Sequence, residues 1–148
     1  MYPVEIPKVV SALGGRRALG VEPRSLDELS EAVEHGFPRA VVRALAASAA
    51  PADAAPPLRR RIEALVASPA TLKRSARLSP AASERAERLA RVAALAVQAL
   101  GDAAEAKAWL TEPHSLFGDR APIEVAATDL GARLVERVLH NIEYGLPV

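Results

Sequence analysis

The hydrophobic positions of this chain recur at helical spacing, most clearly over residues 80–100 and again over residues 128–144. In each stretch, apolar side chains follow at intervals of three and four residues, which places them on one face of a helix. The first face carries Leu89, Val92, Ala93, Ala96, Val97 and Leu100, with Leu95 and Ala99 beside it; the second carries Leu130, Leu134, Val135, Val138, Leu139 and Ile142. The pattern predicts two long amphipathic helices.

Helix-starting signals divide the rest of the chain into shorter helices. Ser25 and Glu28 have the spacing of a capping box, and Ser68 and Ser79 each precede a proline, as at an N-cap followed by a first helical turn. Short helices are predicted over about 6–13, 26–35, 38–48, 58–67, 69–76 and 103–111, with one more turn starting at Pro122. The Pro/Ala stretch 49–57 is predicted to be a linker. The predicted fold class is all-α, with seven to nine helices and no strand.

The composition agrees with a helical protein. Alanine, the best helix former, supplies 32 of the 148 residues, and aromatic residues make up only 3%. A hydrophobic content of 50% is too high for a disordered chain. Because the chain has no apolar run of about 20 residues, no basic leader and no cysteine, we expect a cytoplasmic protein without a membrane span or disulfides.

Charge is distributed unevenly along the sequence. Residues 1–57 carry a net charge of −1, residues 58–100 carry +6 and residues 101–148 carry −4, which together give the total of +1. A basic segment attracts phosphate whatever the nucleotide sequence, whereas an acidic one is repelled by it. The distribution therefore indicates two different partners, with chance clustering of solvated charges as the alternative.

Enzymatic chemistry finds little support in the sequence. His35, His114 and His140 do not stand at metal-ligand spacings from one another, and Gly14-Gly15 lies outside any strand–helix unit that would hold a phosphate. No nucleophile elbow occurs either. We expect no catalytic activity, no metal and no cofactor.

Two of the predicted short helices, 58–67 and 69–76, have the proportions of a helix-turn-helix unit. In such a unit the second helix enters the major groove of DNA and presents its first residues to the bases. The side chains predicted to bind DNA are Arg59, Arg60, Arg61, Ser68, Thr71, Lys73, Arg74 and Arg77, while Leu72 packs inward. The alternative is that these residues form the charged surface of a helical bundle.

A series of short motifs follows in the C-terminal half. Ala106-Lys107-Ala108-Trp109-Leu110 and Pro113 precede Leu116-Phe117-Gly118-Asp119-Arg120-Ala121-Pro122, and Asp129-Leu130-Gly131-Ala132 and Ile142-Glu143-Tyr144-Gly145 come after them. This order resembles the Xre/MbcA/ParS family of bacterial type II antitoxins, over residues 58–148 and more loosely over 25–57. Where family members often carry Asn and a second Gly, this chain has His114 and Asp119.

The resemblance implies a helical homodimer that neutralises a partner toxin, usually a RES-domain enzyme that consumes NAD⁺, by capping the entrance to its active site. It also implies that the toxin–antitoxin complex binds its own operator DNA. The implied organisation is an N-terminal extension over 1–24, an Xre-like DNA-binding and dimerisation region over 25–100, and a toxin-binding domain over 101–148.

The residues that the resemblance implies for toxin binding lie in the last 40 positions. They are Trp109, Leu116, Phe117, Arg120, Glu143, Tyr144, Leu146, Pro147 and Val148. The apolar segment Leu146-Pro147-Val148 is expected to plug the mouth of the toxin pocket, with Pro147 lowering the ordering cost. The surplus of apolar side chains on the 80–100 helix predicts a dimer seam as well as a core, formed by Leu89, Val92, Leu95, Ala96 and Ala99.

Several assignments have alternatives. Trp109 is either an interface anchor or, as we favour, the core of its small domain. Arg120 either pairs with a toxin carboxylate or caps the helix that ends near residue 111. The whole protein is either an antitoxin and autorepressor, a DNA-binding regulator without a toxin, or an interaction adaptor with a decayed helix-turn-helix.

Overall fold

The computed structural model describes residues 2–148, which contain ten α-helices and one short 3₁₀ helix. The helices are α1 Ile6–Ala12, α2 Gly15–Leu19, α3 Leu26–His35, α4 Ala40–Ala49, α5 Pro56–Val66, α6 Pro69–Arg74, α7 Pro80–Leu100, α8 Ala103–Thr111, α9 Pro122–Val125 and α10 Asp129–Glu143, with the 3₁₀ helix at Ser115–Phe117. Within these residues the only β-type pairing is two isolated bridges. The all-α prediction is confirmed.

Side-chain caps start five of the helices. The oxygen atoms of Ser25, Ser68, Ser79, Asp102 and Thr128 each accept a hydrogen bond from the backbone N–H three residues ahead, at 2.9–3.2 Å. Each of these bonds satisfies one of the four N–H groups that a helix start leaves unpaired. The starts of these helices follow from the sequence because a cap is a local interaction.

The linker before α5 and the segment after α1 differ most from the prediction. Pro56 and Pro57 lie in the first turn of α5, where a missing N–H costs nothing, so the loop between α4 and α5 is only 50–55. Gly14 and Gly15 end α1 as predicted, but both take positive φ values and the chain starts α2 at once. The helix α2 is the one that the sequence pattern did not indicate, and it brings the number of α-helices in the described residues to ten.

The helix α7 runs through the centre of the molecule and contacts α1, α3, α4, α5, α8, α9 and α10. Its apolar face is therefore used within the chain: Leu89, Val92, Leu95 and Ala96 are buried in the core of the single chain. The predicted dimer seam at these four residues is wrong, because their side chains present no surface to a second copy. Ala99 is half-buried against the same core.

One continuous core joins the first residues to the last helix. Val9, Val10 and Leu13 of the first segment are buried and share that core with Val135 and Leu139 of α10. The stretch over 1–24 is thus packed into the fold rather than appended to it; its first residue, Met1, lies outside the described residues.

A polar network fastens the N-terminal segment to α7 and α10. The Tyr2 hydroxyl donates to Glu87, and Arg91 donates to Glu87 at 2.9 Å and to Glu136 of α10 at 2.7 Å. Burial and the neighbouring Glu87 carboxylate raise the pKa of Tyr2 above its ordinary value, so the phenol keeps its proton. Ser83 of α7 makes a second buried link, because its hydroxyl accepts the Phe37 N–H at 2.8 Å.

Candidate functional site

The helix α6 presents a polar surface to solvent. Two residues connect it to α5, and Ser68, Thr71, Lys73 and Arg74 are exposed along it. Leu72 is half-buried against the core, so it fixes which side of α6 faces outward. The Ser68 hydroxyl caps the helix and donates to the Thr71 hydroxyl at 2.9 Å, which orders the first turn. This surface offers hydroxyl and cationic side chains together.

The arginines of α5 are directed to other parts of the protein. Arg59 donates to the Ala52 carbonyl at 3.1 Å, and Arg61 forms an ion pair with Glu124 of α9. Arg60 is exposed. The three arginines that the sequence assigned together to DNA thus have three different surroundings.

Other arginines of the basic segment are also used within the fold. Arg77 donates to the Gly36 carbonyl at 2.7 Å, and Arg85 and Arg88 donate to backbone carbonyls at 2.8 and 2.9 Å. Together with Arg91, these side chains satisfy backbone oxygens or carboxylates that packing leaves without partners. The net charge of +6 therefore overstates the free positive charge near α6.

The loop from α8 to α9 is organised around Trp109. The ring of Trp109 lies 5.4 Å from that of His114 and 6.1 Å, edge to face, from that of Phe117. The Nε2 atom of His114 lies 3.1 Å from the Trp109 carbonyl oxygen. Trp109 and Phe117 are half-buried against the core, whereas Leu116 points outward with 53% of its surface exposed.

Two successive left-handed residues turn this loop. Gly118 and Asp119 have φ values of 63° and 62°, and Asp119 is the sole non-glycine residue with positive φ among those described. Aspartate tolerates this conformation better than most residues other than glycine, so Asp119 can hold the turn. Arg120 is exposed, and its guanidinium donates to the Glu124 carbonyl of α9 at 3.5 Å.

The segment after α10 folds back onto that helix. Gly145 has a φ of 66°, the Leu146 N–H donates to the Asn141 carbonyl at 2.7 Å, and the Asn141 side-chain amide donates to the Pro147 carbonyl at 3.0 Å. This is a glycine C-cap of the Schellman type with one added side-chain bond. It sets the direction of Leu146 and Val148, whose side chains are 49% and 63% exposed.

The remaining residues predicted to bind a toxin have different surroundings. Glu143 accepts both of its hydrogen bonds from the Gln98 amide, at 3.1 and 3.2 Å. The Tyr144 ring lies 4.7 Å from that of His140 and is 62% exposed. Sequence reasoning missed Asn141, because its partner is a backbone carbonyl that only the folded chain brings near.

Two further classes of site find no support in residues 2–148. No group of three or more metal-ligating side chains is close enough to hold an ion. None of the described helices has the length and apolarity that crossing a membrane requires.

Comparison with known proteins bears on the C-terminal third. Residues 95–145 match the family model described as the antitoxin Xre/MbcA/ParS C-terminal toxin-binding domain. The antitoxin Xre of Pseudomonas putida is 35% identical to this chain over 63 residues, which is 43% of this chain. The alignment spans 40% of the length of that relative.

Proposed function

We propose that the protein is the antitoxin of a bacterial type II toxin–antitoxin module, because residues 95–145 match the toxin-binding domain of the Xre/MbcA/ParS antitoxins. Its role is binding rather than catalysis. The observation that carries the proposal is the coincidence of the matched domain with a set of outward apolar side chains. They are Val97, Leu116, Leu130, Leu134 and Tyr144.

These apolar side chains are suited to contact with another protein. Single exposed apolar residues are common, whereas a contiguous apolar patch is typical of an interaction surface; Leu130 and Leu134, one turn apart on α10 and both exposed, share one face. Leu146 and Val148 extend the set beyond the matched residues, and the Asn141 amide reduces the freedom of their backbone. Preordering of this kind lowers the entropy cost of binding.

The proposed target is a RES-type toxin that degrades NAD⁺. A pocket for an anionic dinucleotide needs positive charge, and the exposed acids Glu105, Glu112 and Asp119 of this chain complement such a surface. We infer that Leu146, Pro147 and Val148 cover the entrance of that pocket. In this arrangement Trp109 supports the loop that carries Leu116 rather than reaching the toxin itself.

A substitution experiment tests the capping role. The protein and its toxin are purified separately, and NAD⁺ consumption by the toxin is measured with increasing antitoxin. Leu146→Asp with Val148→Asp should abolish inhibition while the melting temperature is unchanged, because both side chains are already largely exposed. Val21→Asp, at 51% exposure outside the matched domain, is the control. Full inhibition by the double variant would contradict the capping role.

We also propose that the protein represses its own operon by binding operator DNA through α6. Lys73 and Arg74 are exposed there and form no ion pair within the described chain. Loss of operator binding in Lys73→Ala and Arg74→Ala, with toxin binding intact, is the expected result. The same exposed cations favour the alternative of a stand-alone regulator, which predicts operator binding but no toxin encoded beside the gene.

A further inference from the structure

Two arginines, the N-cap residue of α4 and one residue on its outer face, are not apparent from the net charge of residues 1–57. Arg39 and Arg43 are one helical turn apart and both are exposed. They border a cleft of about 360 Å³ whose other wall includes Leu72 of α6 and Glu63 of α5. The segment 1–57 has a net charge of −1 because four acids of α3 outweigh these arginines in the sum.

Arg39 ties α4 directly to α6. Its guanidinium donates to the Leu72 carbonyl at 3.1 Å. Leu72 lies in the last turn of α6, where carbonyl groups have no intrahelical partner, and a cation there also complements the helix dipole. The bond holds the exposed face of α4 beside the polar surface of α6.

Arg43 has no such internal use. In contrast to Arg61, which pairs with Glu124, Arg43 forms no ion pair or side-chain hydrogen bond within residues 2–148. Arg43 is a long exposed cation without a partner that lines the same cleft as Leu72 of α6, so it adds to the positive potential on that side of the molecule.

We propose that Arg43, with Arg39 beside it, binds a backbone phosphate of the DNA that α6 enters, and so supplies the contact that sequence reasoning gave to Arg61. Phosphodiester oxygens fit the donor fork of arginine, and contacts of this kind set the position of a protein on duplex DNA. The inference rests on the operator binding proposed above. In this arrangement the phosphate contacts come from α4 and its N-cap, while Arg61 of α5 stays paired with Glu124 of α9.

A substitution of Glu63 should change DNA affinity in the direction opposite to a substitution of Arg43. Its carboxylate lines the same cleft and opposes a phosphate near Arg43. Neutralising Glu63 should therefore strengthen DNA binding, whereas neutralising Arg43 should weaken it.

The experiment measures binding of the full chain to a duplex of its own promoter and to an unrelated duplex of equal length, from about 50 to about 200 mM salt. Arg43→Gln should lower affinity for both duplexes by about tenfold at the lower salt, as for a lost charge-assisted bond. It should also reduce the slope of log affinity against log salt by about 0.9. Glu63→Gln should raise affinity for both.

Arg137→Gln is the matched control, since Arg137 is exposed on α10 and the substitution removes the same charge far along the chain. Equal losses for Arg43→Gln and Arg137→Gln would reduce the effect to net charge and overturn the inference. An Arg43→Gln variant with the wild-type slope overturns it too. If the unaltered protein binds neither duplex, operator binding and the inference both fall, while toxin binding is measured separately on the same samples.

Discussion

Replacing Gly131 with alanine should destabilise this protein, although alanine is the better helix former. Gly131 is buried in the first turns of α10, where α10 meets the end of α9. A Cβ atom built there would stand 1.8 Å from the Val125 carbonyl oxygen and 2.8 Å from the Thr128 hydroxyl oxygen. The obstacle is backbone, which cannot rotate away as a side chain can.

The size of the effect follows from two opposing contributions. Helix propensity alone favours alanine by about 1 kcal/mol. To bring the Cβ–oxygen distance from 1.8 Å to even 3.0 Å, α9 and α10 must separate by about 1.2 Å. Overpacking of this kind costs up to about 3 kcal/mol. The net expectation is a loss of about 2 kcal/mol, or a melting temperature lower by about 4–8 °C for a chain of this size.

Thermal and denaturant unfolding of the full chain measure this prediction. Ala47→Gly, at an exposed position within α4, is the control, because it reports the propensity contribution without any packing change. A Gly131→Ala protein that is as stable as the unaltered one, or more stable, would refute the contact between α9 and α10. The stability loss should also be accompanied by weaker toxin binding, since α9 and α10 lie in the matched domain.

Three further substitutions each remove one side-chain hydrogen bond, and denaturant unfolding measures the change in stability. Ser83→Ala should cost about 1–3 kcal/mol because the buried Phe37 N–H loses its acceptor; an unchanged midpoint would show that another group accepts it. Tyr2→Phe should cost about 1–2 kcal/mol through the lost bond to Glu87, and a neutral result would argue against the N-terminal fastening. Thr128→Ala should cost about 1 kcal/mol by removing the cap of α10, and stability equal to that of the parent would count against that cap.

The sequence predicted those features that depend on neighbours along the chain. The caps at Ser68 and Ser79, and the turn at Gly145, each involve groups within five residues of one another, so their spacing is visible in the sequence. The apolar stripes of α7 and α10 were visible for the same reason. A periodic stripe shows that a face is buried but does not show what buries it, which is why Leu89 and Val92 were given to a dimer seam.

Side-chain partners distant in sequence could not be predicted. Arg61 meets Glu124 across 63 positions, and Arg91 meets Glu136 across 45. The net charge of residues 58–100 includes both arginines in full, although each is paired with a carboxylate in the folded protein. Conversely, Arg43 was hidden because a sum over residues 1–57 mixes the acidic surface of α3 with the basic surface of α4. Charge read from sequence becomes informative only when each side chain is assigned to a face.

Co-expression with the protein encoded beside its gene, which the proposed function predicts to be a toxin, tests the central claim most directly. Cells that produce the toxin alone should stop growing, and cells that also produce this protein should grow and yield both proteins as one complex that survives size-exclusion chromatography. Growth arrest that persists with the protein present and folded, and no complex with the toxin, would contradict the claim that residues 95–145 neutralise a toxin by binding it.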